Sequence, residues 1–219
     1  MTCRLEPVTL ALASGVARLE PLEMAHAGAL SRAASDPAIW RYIPPPYGGA
    51  SDEASMGQLV ERALAAREAG VELPFAIVHR PSGAVVGSTR YMEVQHASRG
   101  VEIGATWLGP GWQRTSINTE CKYLLLRHAF EALWPSEDER QRGAVRVQLK
   151  CDARNVKSQA AILRIGARFE GVLRRHRVLP DGFIRDTAYF SVIREEWPAV
   201  KKRLEEMLGL ADGSGVEYR

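Results

Sequence analysis

Apolar positions recur along this chain with two different periods, and the switches between them mark its elements. Val8–Leu12 and Val16–Leu22 read as two short strands around the turn Ala13-Ser14-Gly15. A helix is expected over Met24–Ala34, ended by Asp36-Pro37, and a second over Ser55–Ala69, capped by Ser51-Asp52-Glu53 and stopped by Gly70. Between them Pro44-Pro45-Pro46-Tyr47-Gly48-Gly49 is a stiff, non-helical loop. A strand-rich middle follows: Pro74–His79, Val85–Val94 and Val101–Leu108. The apolar stripe Tyr123-Leu124-Leu125-Leu126 with Ala129-Phe130 predicts a long helix over Asn118–Leu133, broad enough to pack on a sheet.

Val145–Cys151 then alternates with period two, Asn155–Gly166 reads as a helix, and Arg168–Val178 with Ile184–Ile193 form a hairpin around Pro180-Asp181-Gly182. A last helix spans Glu195–Leu208, with Trp197-Pro198 in its first turn. Strands before and after two central helices argue a single mixed α/β layer structure. The expected organisation is one domain over 1–210 and a flexible tail over 211–219.

Composition narrows the function classes. With 219 residues and 46% hydrophobic content the chain can build a core of its own. The net charge of +3 is mild and the arginines are scattered, which argues against nucleic acid as a partner. Cys3, Cys121 and Cys151 are sparse, odd in number and without metal-ligand spacing, so neither a disulfide scaffold nor a metal site is expected. No run approaches a membrane span and Met1–Leu12 lacks a signal-peptide core, so the expectation is a soluble cytoplasmic protein with no membrane partner.

Two segments carry candidate chemistry. Around Gln113-Arg114-Thr115-Ser116-Ile117-Asn118-Thr119 a strand turns into the long helix, leaving backbone N–H groups without intrahelical partners at the positive end of the helix dipole. Such a turn either binds an anion or is a plain helix start with an Asn or Thr cap. The second is Lys150-Cys151-Asp152-Ala153-Arg154-Asn155-Val156-Lys157-Ser158, followed by Gly166-Ala167-Arg168-Phe169-Glu170-Gly171. On its own, Asn155 reads as an N-cap and Ser158 as a first-turn residue.

Taken in order, these motifs resemble the GNAT N-acetyltransferases. The first resembles the family's Gln/Arg-x-x-Gly-x-Gly/Ala turn, with serine and asparagine at the two glycine positions. The second resembles the Asn-x-x-Ser and Glu-Gly elements of the branch that acetylates ribosomal-protein N-termini, and the likeness runs from about Leu10 to Glu196. It implies a GNAT-type α/β domain, with a central twisted mixed sheet whose two central parallel strands splay apart and helices on both faces. It also implies acetyl-CoA as cofactor. Trp107 and Leu108 would bind the pantetheine arm through their backbone, and Gln113, Arg114, Thr115, Ser116, Ile117, Asn118 and Thr119 would cradle the pyrophosphate. Asn155 would reach into the cleft, and Ser158 would lie near the sulfur to protonate or solvate the leaving thiolate.

Acetyl transfer needs a neutral amine, so a carboxylate must take its proton directly or through water. Glu102 is the candidate base; in a period-two strand it shares a face with Gly104 and Thr106. The competing reading is a strand carboxylate paired with a neighbouring arginine. A strand N–H near Trp107 would polarise the thioester carbonyl. Cys151 is either a buried strand-end residue or a thiol able to form a mixed disulfide with CoA. Asp186 either orients an amine or is structural, with the structural role favoured. His176 and Arg177 stand where some N-terminal acetylases carry a glutamate, which argues against a ribosomal-protein substrate.

Trp40 and Tyr42, beside the proline-stiffened loop, are candidates to line the acceptor site or to pack the first helices. The acceptor is expected to be a small-molecule amine or a peptide N-terminus. The alternative to an enzyme is a non-catalytic acyl-CoA-binding sensor or interaction module. Apolar residues of the last helix, Leu204, Met207 and Leu208, leave room for a homodimer.

Overall fold

A computed structural model describes residues 5–210 and the backbone of 216–218. Nine strands form one sheet: β1 (Leu10–Leu12), β2 (Ala17–Pro21), β3 (Leu73–His79), β4 (Ala84–Gln95), β5 (Gly100–Leu108), β6 (Arg146–Asp152), β7 (Arg168–Val178), β8 (Ile184–Ile193) and β9 (Val216–Tyr218). Their order is β7-β8-β6-β5-β4-β3-β2-β1-β9. Every pairing is antiparallel except β5 with β6. The five α-helices are α1 (Ala27–Ala33), α2 (Glu53–Glu68), α3 (Ile117–Glu131), α4 (Val156–Arg164) and α5 (Trp197–Leu208).

Two cores hold the sheet between helices. The larger joins the strands to α3 and α5 through residues such as Phe75, Val101, Ile103, Leu125, Val147, Phe190 and Leu204. The smaller packs α1 and α2 on the other face, through Leu30, Trp40, Met56, Val60 and Trp107. Leu124, Leu125, Leu126 and Ala129 have no exposed surface, so the apolar stripe of α3 does what its spacing predicts.

Local chemistry explains most boundaries. Asp52 accepts from the Ser55 backbone N–H at 2.8 Å, and the Ser55 hydroxyl answers at the Asp52 N–H, so α2 opens with a capping box at Glu53 rather than at Ser55. The first predicted helix is instead a 3₁₀ turn over Met24–His26 followed by the short α1. The long helix starts one residue early: Ser116 takes the cap position without a side-chain bond, and Asn118 lies inside the first turn rather than capping it. Residues 216–218, in the segment expected to be a flexible tail, form β9 and pair with β1; residues 211–215 and 219 lie outside the described residues. Leu204 is fully buried and Leu208 packs against the same core, so only Met207 of the apolar residues expected to be spare is exposed.

The parallel ladder between β5 and β6 is short. Gly100, Val101 and Glu102 pair with Arg146, Val147 and Gln148, and there the pairing stops. Beyond Glu102 the strands part, β5 staying with β4 and β6 with β8.

Candidate active site

The parting strands leave the β6-facing edge of β5 from Gly104 to Leu108 without a strand partner. Within this stretch β5 carries a bulge. Gly104 pairs with Arg90 and Trp107 with Ser88, so Ala105 and Thr106 together oppose Thr89, with Ala105 at φ 47°. The bulge overturns one sequence expectation. Thr106 does not share the face of Glu102; it turns towards α3, where it bonds Thr89 at 2.7 Å and accepts from Lys122 Nζ at 2.8 Å.

At the mouth of this gap sits the strand-to-helix turn. Arg114, Thr115 and Ser116 are exposed, with Arg114 at φ 64°, and α3 begins at Ile117. Of the first helical N–H groups, that of Ile117 donates to the Thr115 hydroxyl at 3.4 Å, and those of Asn118 and Thr119 lack intrahelical partners as at any helix start. Two side chains of the turn reach across to α4. Gln113 donates to the Leu108 carbonyl at 3.0 Å and accepts from Lys157 Nζ at 2.6 Å. The Thr119 hydroxyl accepts from Arg164 at 3.0 Å. An extended chain with amide groups fits the open β5 edge, and a phosphate fits the exposed turn with Lys157 beside it.

Across the gap, Asn155 caps α4 by accepting from the Ser158 N–H at 3.0 Å. Ser158 lies close to the Cys151 thiol, whose pKa burial raises above its ordinary value while Ser158 pulls it the other way. Cys151 is near the end of β6, and Ser158 lies in the first turn of α4 that follows it.

Glu102 is 1% exposed and alternates with Val101 and Ile103, which pack into the core with α3. Gln148 donates to it at 3.0 Å and Lys150 Nζ lies 2.8 Å from the same oxygen; Glu93 also pairs with Lys150. The partner is a lysine two residues along the neighbouring strand, not an arginine. Burial holds the Glu102 carboxyl above the usual carboxylate range although Lys150 pulls the other way. Gly104 makes room for it, since a Cβ there would stand 2.8 Å from the Glu102 carboxylate.

The cleft above Glu102 is walled by the 40–50 loop and the β7–β8 hairpin. Arg154 joins these walls: its guanidinium lies 3.7 Å from the Phe183 ring centre and 5.8 Å from that of Tyr42. Tyr47 lies under Arg90 with the Glu72 charge nearby, and its hydroxyl is pushed up to about 12, chiefly by burial. Trp40 instead takes the core position, with Nε1 donating to the Ala50 carbonyl at 2.8 Å and its ring set edge-on against Trp107 at 5.1 Å. Asp186 accepts from the Arg175 N–H at 2.6 Å and supports a bulge in β7, a structural role.

Sequence reasoning did not single out Glu93, Arg185 or Lys122, and it named Lys150 and Arg177 without giving either a place in the site. One signal was present: Arg146, Gln148, Lys150 and Asp152 make every second residue of a central strand polar, as an uncovered sheet face requires. Lys122 gave none, since only the tertiary fold buries it and pushes its ammonium down to about 8.

A mixed sheet that opens between two parallel strands beside a helix start, with a buried carboxylate on the open face, defines an acyl-transfer fold. The chain belongs to the GNAT family: the model of the acetyltransferase (GNAT) domain matches residues 17–168. It is an N-acetyltransferase. A GCN5-related N-acetyltransferase from Brucella melitensis is 28% identical, over 93% of this chain and 89% of its own, with a TM-score of 0.79. A protein from T. thermophilus, provisionally described as an acetyltransferase, is 38% identical over 90% and 96%, with a TM-score of 0.75. RimJ of Mycobacterium smegmatis, solved with CoA-disulfide, is 26% identical over 94% and 97%, with a TM-score of 0.74. No curated protein matches. Among the described residues no helix is long and apolar enough to cross a membrane.

Proposed function

We propose that this chain transfers the acetyl group of acetyl-CoA to a primary amine, of a small molecule or a peptide N-terminus, by direct attack while both are bound. The observation that carries this reading is the placement of the buried Glu102 carboxylate where β5 and β6 part, beside an open strand edge. Acetyl-CoA, when bound, supplies an acetyl group activated as a thioester. The backbone of Trp107 and Leu108 would pair with the pantetheine arm, and Gln113 to Thr119 would hold the pyrophosphate at the start of α3. Asn155 positions Ser158 by capping α4, and the Ser158 hydroxyl is placed to donate a proton to a departing thiolate. A backbone N–H at the β5 bulge would polarise the carbonyl.

Glu102 takes the proton of the incoming ammonium, directly or through one water, leaving the lone pair free to attack. Its raised pKa makes it a better base than an exposed glutamate. Tyr42 lines the acceptor entrance. RimJ is a relative bound to CoA-disulfide, which supports CoA as the ligand of the cleft.

The test is release of free thiol from acetyl-CoA in the presence of a panel of primary amines. Amine-dependent release with a matching acetylated product is expected. Tight acetyl-CoA binding with no transfer to any amine would instead indicate a binding module.

A further inference from the structure

Most charges on the open sheet face are matched in pairs. Arg90 binds Glu72 at 2.8 Å, Lys150 serves Glu93 and Glu102, and Arg154 grips both oxygens of Asp152. Two arginines have only longer ion pairs, with no carboxylate within hydrogen-bond distance among the described residues. Arg177 and Arg185 are register partners across β7 and β8, so two like charges stand directly opposite each other on one face.

Their nearest carboxylates are Glu93, 3.7 Å from Arg177, and Asp152, 3.8 Å from Arg185, both beyond hydrogen-bond range. Those carboxylates are already engaged by Lys150 and Arg154. Arg185 is 8% exposed, and its Nε has no hydrogen-bond partner among the described residues. Burial lowers the Arg185 guanidinium from its ordinary value although Asp152 pulls the other way, and the Arg177 charge adds to the lowering. A buried guanidinium is costly to keep unless something pairs with it. Asp152 ends β6 directly after Cys151, so the arginine pair lies at the end of the cleft where the acetyl group would be transferred.

We propose that Arg177 and Arg185 form an anion subsite in the acceptor cleft, and that the acceptor is a primary amine carrying a carboxylate or phosphate group. Paired guanidinium forks match the planar oxygens of either group. The inference rests on the amine-acetylation reading above and narrows its acceptor. A neutral or polycationic amine would leave both arginines unmatched.

Matched acceptors separate the outcomes: β-alanine, O-phosphoethanolamine and β-alaninamide, with the tripeptides Ala-Glu-Ala and Ala-Gln-Ala, both C-terminally amidated. The anionic members should show kcat/KM at least tenfold above their neutral partners, and a carboxylate or phosphate preference identifies the source of the anion. Arg185→Gln and Arg177→Gln should each collapse that ratio to below threefold, through KM. Arg177 is the more exposed of the two, so its variant carries the test if Arg185→Gln does not fold. Equal use of charged and neutral acceptors, or an unchanged ratio in both variants, overturns the proposal. If no amine is acetylated, the transfer reading fails, and calorimetry with inorganic phosphate and with succinate, in excess CoA, still reads the subsite. Binding weakened tenfold in either variant supports it; equal binding in wild type and both variants overturns it.

Discussion

Two buried titratable side chains illustrate how position alone sets chemistry in this molecule. Glu102 keeps a raised pKa because burial outweighs the attraction of Lys150. As the base it must be deprotonated, so kcat should rise with pH through that raised value. Glu102→Gln should lower kcat by about 10²- to 10⁴-fold, and what pH dependence remains should follow the acceptor amine alone. An unchanged rate and profile in steady-state kinetics would remove Glu102 from the mechanism. His128 is opposite in sign. Burial lowers its pKa to about 4 from an ordinary 6.5, so its folded-state pKa lies below the unfolded value. The stability this represents is present above pH 6.5 and is lost as pH falls towards 4, by up to roughly 3 kcal/mol. Thermal unfolding of wild type against His128→Gln should therefore show a stability difference that shrinks through this window.

At the scale of elements, the start of α3 is tied on both sides. Glu120, in its first turn, accepts from the Val16 and Ala17 N–H groups at 3.0 and 3.2 Å, anchoring the helix to β2. On the other side Gln113 links the end of β5 to Lys157 of α4. Loss of the Gln113 amide frees both the Leu108 carbonyl and the Lys157 ammonium. Gln113→Ala should raise KM for acetyl-CoA by about threefold to tenfold, roughly one hydrogen bond's worth, with kcat little changed. A normal KM in initial-rate measurements would show that the turn binds its anion through the backbone alone. Both glycines expected from the family turn are absent, and Arg114 carries the left-handed φ instead. The turn thus keeps its shape by placing the unusual dihedral one residue after Gln113.

For the whole molecule, the gap between β5 and β6 is a weak seam in the middle of the sheet. Three residues on each strand hold its two halves together. A ligand lying along the open β5 edge would add contacts across this seam only in the folded state. Acetyl-CoA at about 100 times its Kd should stabilise the protein by about 2.7 kcal/mol. For a chain of this size that is a rise in Tm of roughly 5–10 °C by calorimetry or dye-based unfolding. No shift at saturating acetyl-CoA would argue against the cleft as its site.

What the chain's own pattern determines is the order of elements. Period-two and helical spacing, with Asp52, Asn155 and Gly166 as caps and stops, place most strands and helices within a few residues, because these signals are local. The motif order around Gln113, Asn155 and Ser158 likewise pointed to the GNAT family. Local pattern does not carry the bulge at Ala105, which sends Thr106 to the α3 face and leaves Glu102 on the other. Nor does it show which charges meet. Glu102 is 46 residues from Gln148, and Arg177 faces Arg185 only once β7 and β8 pair in register. Burial and cross-strand distance, not residue identity, decide which of these groups meet within hydrogen-bond range and which pair only loosely.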